Sequence, residues 1–180
     1  MRSAPVIETE RLILRPPSAE DFDGFCELMA DEASAKFIGG VQARPAVWRT
    51  LCLMSGAWTI RGYSMFSVIE KATGKWIGRL GPWQPDGWPG TEVGWGLLTS
   101  AQGKGYATEG ASAAMDYAVD ILGFTEIIHC IDAKNAASIK VAERLGSSKL
   151  RVAQAPAPFS DVIWDVYGQT ADAWRARRRN

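Results

Sequence analysis

The chain has 180 residues, 47% hydrophobic and 22% charged, which suits one globular domain with its own core. Its 20 Lys and Arg balance 20 Asp and Glu, so bulk charge gives no nucleic-acid footprint. The single histidine, His129, excludes a His-rich metal site and argues against zinc chemistry.

Residues 12–15, Leu-Ile-Leu-Arg, read as a short first strand that Pro16 and Pro17 end. Ser18, with Asp21 three residues on, starts an amphipathic helix to about residue 31. Gly39-Gly40 breaks the chain, and Pro45 suits the first turn of a helix over 46–61. Strands are expected at 64–70 and 75–80, joined by the turn Lys71-Ala72-Thr73-Gly74. A loop rich in Gly, Pro and Trp fills 81–90, and a strand over 91–98 carries Val93, Trp95 and Leu97 on one face. Ala107, Ala111, Ala114, Met115, Ala118 and Leu122 keep helical spacing up to Gly123. The apolar run 127–131 fits a strand buried on both faces. Asn135 caps a helix that Gly146 stops, late strands at 150–154 and 162–167 flank Pro156 and Pro158, and Thr170 caps a last helix. This order predicts one α/β domain with a mixed sheet and helices on both faces.

Three cysteines, Cys26, Cys52 and Cys130, lie far apart with no CxxC pair, as expected in a reduced, cytoplasmic compartment. No apolar stretch reaches the ~20 residues of a membrane span. Glu8, Glu10 and Arg11 stand where a signal peptide needs apolar residues, so export is not expected. Arg175, Arg177, Arg178 and Arg179 read as a solvated helix end.

The run Gln102-Gly103-Lys104-Gly105-Tyr106-Ala107 joins a strand to a helix N-terminus. Such a turn aims free amides and a helix dipole at one point, which suits phosphate oxygens. A P-loop would need Ser or Thr after Gly-Lys, but Gly105 follows. A dinucleotide fingerprint would need a third glycine where Thr108 stands, in a first strand–helix unit rather than a late one. A pyrophosphate held by backbone amides, as in coenzyme A, is the third option.

The spacing Gln102-x-x-Gly105-x-Ala107 resembles the signature of the GNAT acetyltransferase superfamily. Arg11-Leu12-Ile13-Leu14-Arg15-Pro16, Glu92-Val93-Gly94-Trp95, Gly103 to Glu109, and Asn135-Ala136-Ala137-Ser138 with Leu145-Gly146 resemble its ribosomal-protein N-terminal acetyltransferase branch. The resemblance covers about residues 10–170 of a single domain, 1–180. It implies a central, mostly antiparallel sheet of about seven strands, splayed in the middle.

The resemblance also implies a site. Acetyl-CoA would be the co-substrate, without a metal. The backbone at Gly96, Leu97 and Leu98 would meet the thioester and pantetheine, with an N–H on the developing oxyanion. Thr99 stands where many relatives have proline. Gln102, Gly103, Lys104, Gly105, Tyr106, Ala107 and Thr108 would wrap the pyrophosphate. Glu109 reads as structural. Asn135 would hydrogen-bond the pantetheine amide, and Ser138 would donate to the leaving thiolate. The tyrosine that many relatives place seven residues after the asparagine is Ala142 here.

An amine nucleophile needs a base. Glu92, on the face of Gly94 and Gly96, is the first candidate, and it also fits an exposed strand-end carboxylate. Asp86 is a weaker alternative, and His129 reads as structural. Loops 31–44 and 81–90 would shape the acceptor pocket, with Trp83 and Trp88 as walls or core plugs. The expectation is acetyl transfer to a primary amine, either a protein N-terminus or a small molecule, by direct attack in a ternary complex. The competing function is an acyl-CoA-binding sensor or interaction module without transfer. Neither nucleic acid nor membrane is expected as a partner, and a monomer or homodimer fits.

Overall fold

In a computed structural model that describes residues 5–157 and 160–179, eight strands form one sheet in the order β1-β2-β3-β4-β5-β6-β8-β7. The strands are β1 Ile7–Glu8, β2 Leu12–Arg15, β3 Phe66–Glu70, β4 Trp76–Trp83, β5 Glu92–Leu97, β6 Glu126–Ile131, β7 Ser148–Gln154 and β8 Ile163–Thr170. The helices are α1 Phe22–Ala30, α2 Glu32–Ala35, α3 Arg44–Arg61, α4 Tyr106–Asp120, α5 Ala136–Arg144 and α6 Ala171–Arg178. Pro158 lies outside the described residues. None of the described helices is long and apolar enough to cross a membrane.

Every neighbouring pair is antiparallel except β5 and β6, which run parallel and pair at a single position, Glu92 with Ile128. Beyond that point the two strands diverge. His129 partly restores the join, because its Nδ1 donates to the Val93 carbonyl at 2.7 Å. The sheet is therefore mostly antiparallel and open in the middle.

Helices α1 to α3 cover one face and α4 to α6 the other. Phe25, Leu28, Met29, Val47, Leu51 and Met54 fill the first layer. Ala111, Ala114, Met115 and Ala118 bring α4 close against the second face. One charged pair is enclosed here. Arg15 grips Asp21 through Nη1 at 2.8 Å and Nη2 at 2.6 Å, and Ser67 Oγ and the Ser18 amide also donate to that carboxylate. Burial acts to raise the Asp21 pKa, but these four donors lower it overall.

Three expectations change. Gly81, Pro82 and Trp83 belong to β4 rather than to the loop, pairing with Gly94, Val93 and Glu92. Pro82 is tolerated because its missing N–H would face the β3 side, where β3 starts only at Phe66, opposite Leu80. Helix α2 is too short to leave a periodic signal, and Asp31 caps it by accepting from the Ala33 and Ser34 amides. The basic C-terminal end is not simply solvated: Arg178 Nη1 bonds Asp120 at 2.9 Å and also Asp116, tying α6 to α4.

Candidate active site

The phase of the β4–β5 ladder decides which backbone groups face the opening. Leu98 N–H donates to the Ile77 carbonyl at 2.9 Å. Alternation then turns Gly96 toward β4 as well. Trp95 and Leu97 direct their amides to the other edge, where β6 has moved away. Of the three backbone positions expected there, Leu97 offers its N–H to the gap. Gln102 Nε2 donates to the Leu97 carbonyl at 3.0 Å, which links the glycine turn to this strand end.

Within the turn, Gly103 and Gly105 adopt φ of +74° and +84°, in the left-handed region that disfavours side chains. Gly105 is the N-cap of α4, and its carbonyl accepts the Glu109 amide at 3.0 Å. No backbone acceptor is found among the described residues for the amides from Gly103 to Thr108. Thr108 Oγ1 is enclosed without a partner. Arg11 holds the turn from outside: its Nη1 donates to the Lys104 carbonyl at 3.0 Å, and its Nε bonds Glu109 at 2.7 Å. Tyr106 turns inward, donating to Glu70 at 2.6 Å under the Arg11 guanidinium. Glu109 is thus part of the frame, accepting also from Thr9 Oγ1 and the Arg11 amide.

Asn135 caps α5, its side-chain oxygen accepting from the Ser138 amide at 3.1 Å. Ser138 Oγ accepts from Trp95 Nε1 at 3.2 Å. With one lone pair so engaged, the Ser138 hydroxyl proton is left to donate elsewhere. Ala142 is fully buried and offers no polar group. Thr99 is also engaged: its Oγ1 bonds Asp31 and Ser34, which pins the α1–α2 corner to the end of β5.

Glu92 is 6% exposed, so it is not a solvated strand-end carboxylate. The Cys130 amide donates to its Oε1 at 3.0 Å, and Trp88 Nε1 donates to its Oε2. Burial pushes its pKa up to about 7, against the lowering pull of Cys130, Trp88 and Arg79. His129 is neutral and structural. Burial pushes its pKa down to about 4, and its Nε2 accepts from Ser147 Oγ at 3.0 Å.

Glu92 and Ser138 thus converge on the open middle of the sheet, while Gln102 ties the turn to Leu97 at the end of β5. A cavity of about 350 Å³ opens there, with Glu92, Gly94, Trp95, Asn135 and Ser138 in its lining. Gln102, Gly103, Lys104, Gly105 and Thr108 lie outside it, around the start of α4.

The geometry matches a known architecture. Residues 11–148 match the model of the acetyltransferase (GNAT) domain. The chain belongs to the GNAT acetyltransferase family. It is 30% identical to the uncharacterized N-acetyltransferase p20 of Bacillus licheniformis, over 78% of this chain and 81% of that one. It is 36% identical to the uncharacterized protein YkkB of Bacillus subtilis, but that match spans 47% of this chain and 51% of the relative. A solved acetyltransferase from Agrobacterium tumefaciens superposes with a TM-score of 0.82 at 31% identity, covering 94% of this chain and 96% of that one.

GNAT enzymes use acetyl-CoA, and the residues at hand fit that co-substrate. Six unpaired amides surround the α4 N-terminus, where a pyrophosphate has complementary charge. Among the described residues, no group of three or more His, Cys, Asp or Glu is placed to hold a metal ion.

Other parts of the candidate site were not legible in the sequence. Arg79 and Trp164 line the cavity, and Arg11 frames the turn. Alternation along 75–80 put Arg79 on one face of a strand, but no local pattern said that this face bounds a cavity.

Proposed function

We propose that the chain transfers the acetyl group of acetyl-CoA to a primary amine held in the cavity, by direct attack in a ternary complex. The observation that carries this reading is the shared lining of one cavity by Glu92 and Ser138, with Glu92 on a strand whose Leu97 amide turns to the gap beside β5.

Acetyl-CoA supplies an activated thioester, whose C–S bond breaks as the amine nitrogen bonds the acetyl carbon. Glu92 accepts the proton that the ammonium must lose before attack. A base with a pKa of about 7 is well matched to neutral pH, because it is substantially ionised and still basic. The Leu97 amide donates to the carbonyl oxygen as charge develops on it. Ser138 gives the leaving sulfur a hydrogen bond from its hydroxyl, oriented by the Trp95 indole, and the proton that the attacking nitrogen sheds as the amide forms neutralises the thiolate. The free amides from Gly103 to Thr108 hold the pyrophosphate, and the Asn135 side-chain NH2 remains available to pantetheine.

The test is an acceptor panel of amines and peptides with acetyl-CoA, read by mass spectrometry, alongside calorimetry of acetyl-CoA binding. Acetylated product that falls sharply in Glu92→Gln supports the reading. Tight acetyl-CoA binding without product on any amine would favour an acyl-CoA sensor instead.

A further inference from the structure

The cavity holds a cation, Arg79, that no anion among the described residues hydrogen-bonds: the carboxylate near it, Glu92, acts on it only through space. Arg79 lies opposite Gly96 across the β4–β5 ladder, as Trp83 lies opposite Glu92. Cross-strand partners share a face, so Arg79, Trp83 and Glu92 look to the same side. The Arg79 Nε is enclosed without an acceptor. Its Nη1 approaches only sulfur, at 3.0 Å from Met65 Sδ and 4.0 Å from Met54 Sδ. Thioether sulfur is a weak acceptor and carries no charge. Among the described residues no oxygen accepts from this guanidinium, and it lines the cavity. A guanidinium partly withdrawn from water, with its Nε enclosed and no oxygen accepting from it, is unfavourable, and an incoming carboxylate relieves it.

The missing anion is not the donor's pyrophosphate. The glycine turn opens α4, which packs on the opposite face of the sheet. Arg79 shares its face with Gly96, where a Cβ would meet Ile38 and Leu28 from the α1–α3 side. Nor is it Glu92, whose two oxygens accept from the Cys130 amide and Trp88 Nε1 and not from Arg79, so the anion belongs to the acceptor. The rest of the cavity describes that acceptor's body. Trp88 stands edge-on to Trp83, with ring centroids 6.5 Å apart, and packs on Trp164 at 4.9 Å. All three line the cavity, whose volume of about 350 Å³ suits a small molecule.

We propose that the acceptor is a free α-amino acid with an apolar side chain: Arg79 pairs its carboxylate, Glu92 faces its amine, and Trp83, Trp88 and Trp164 enclose its side chain. This identification rests on the acetyl-transfer reading above. It separates a free amino acid from a protein N-terminus, because a polypeptide has an amide where the carboxylate would be and leaves Arg79 unpaired.

The experiment compares L-phenylalanine, L-leucine and L-methionine with their amides and their decarboxylated amines. Binding is measured by calorimetry with coenzyme A present, and kcat/KM by mass spectrometry. The free acids should exceed their amides and amines by about 10- to 100-fold in both, the worth of a charge-assisted pair. Arg79→Met should erase that ratio, and Arg79→Lys should keep part of it. Equal values for acid, amide and amine in the wild-type chain would overturn the proposal, whether or not the variants fold. So would a wild-type ratio retained in Arg79→Met, a dipeptide preferred over its free N-terminal amino acid, or no binding by any panel member. Arg79-dependent binding of the acids without acetylated product would support the carboxylate site and sink the transfer reading. Product formed without carboxylate preference would do the reverse.

Discussion

Trp95 Nε1 donates to Ser138 Oγ at 3.2 Å, joining β5 to the first turn of α5 across the gap in the sheet. The bond leaves the serine proton free and fixes the oxygen that carries it. Ser138→Ala should lower kcat by about 100-fold, the scale of one donor to developing charge, while the affinity for acetyl-CoA changes little. Trp95→Phe keeps the serine but frees its rotor, and should lower kcat by a smaller factor. Steady-state kinetics with calorimetric binding separates the two effects.

Glu92 gives a pH dependence of known sign. As the proposed base, Glu92 works when ionised, so kcat/KM should rise with pH through about 7. Glu92→Gln should remove that rise. The stability effect runs the other way. A folded-state pKa above the ordinary carboxylate value means that the native protein holds this proton more tightly. The resulting stabilisation is full at acidic pH and is lost as pH rises through about 7. Denaturant unfolding at pH 5 and pH 8 should therefore show Glu92→Gln gaining on the wild type at the higher pH, by up to roughly 3 kcal/mol.

Thr108 and Gly105 separate an enclosed group of the turn from its free amides. The Thr108 hydroxyl is buried without a partner, so Thr108→Val should leave thermal stability unchanged or slightly higher. Because that hydroxyl faces no solvent, acetyl-CoA affinity by calorimetry should change less than about twofold. Gly105→Ala, in the turn that offers its amides, should weaken acetyl-CoA several-fold and cost about 1 kcal/mol of stability, because φ is +84° at that position.

Asp21 tests the frame rather than the chemistry. The carboxylate is 3% exposed and bound by Arg15, Ser67 and the Ser18 amide. Arg15→Ala leaves that charge buried and should destabilise the fold by about 3 kcal/mol in urea unfolding. Its folded-state pKa is lowered overall, so the stabilisation from Asp21 is present above the ordinary aspartate value and fades as pH falls through the lower folded value.

Local chemistry made much of this protein readable from its sequence. Asn135 and Thr170 cap the helices they were expected to cap, because a cap bonds an amide three residues away. Gly103 and Gly105 marked a turn that only positive φ allows, and apolar spacing located α4 and β6. The family resemblance reached further, because its motifs fall at turns and caps of this kind. Burial and long-range pairing were not local. Glu92 becomes a raised-pKa carboxylate only beside the Cys130 amide, 38 residues on. Arg79 reads as an ordinary strand cation until β5, Met54 and Met65 enclose it. Trp164 joins Trp88 only because β8 inserts beside β6. Sequence fixes which groups each segment can present. Charge, solvation and distance between segments are properties of the packed sheet, and they decide which of those groups become a site.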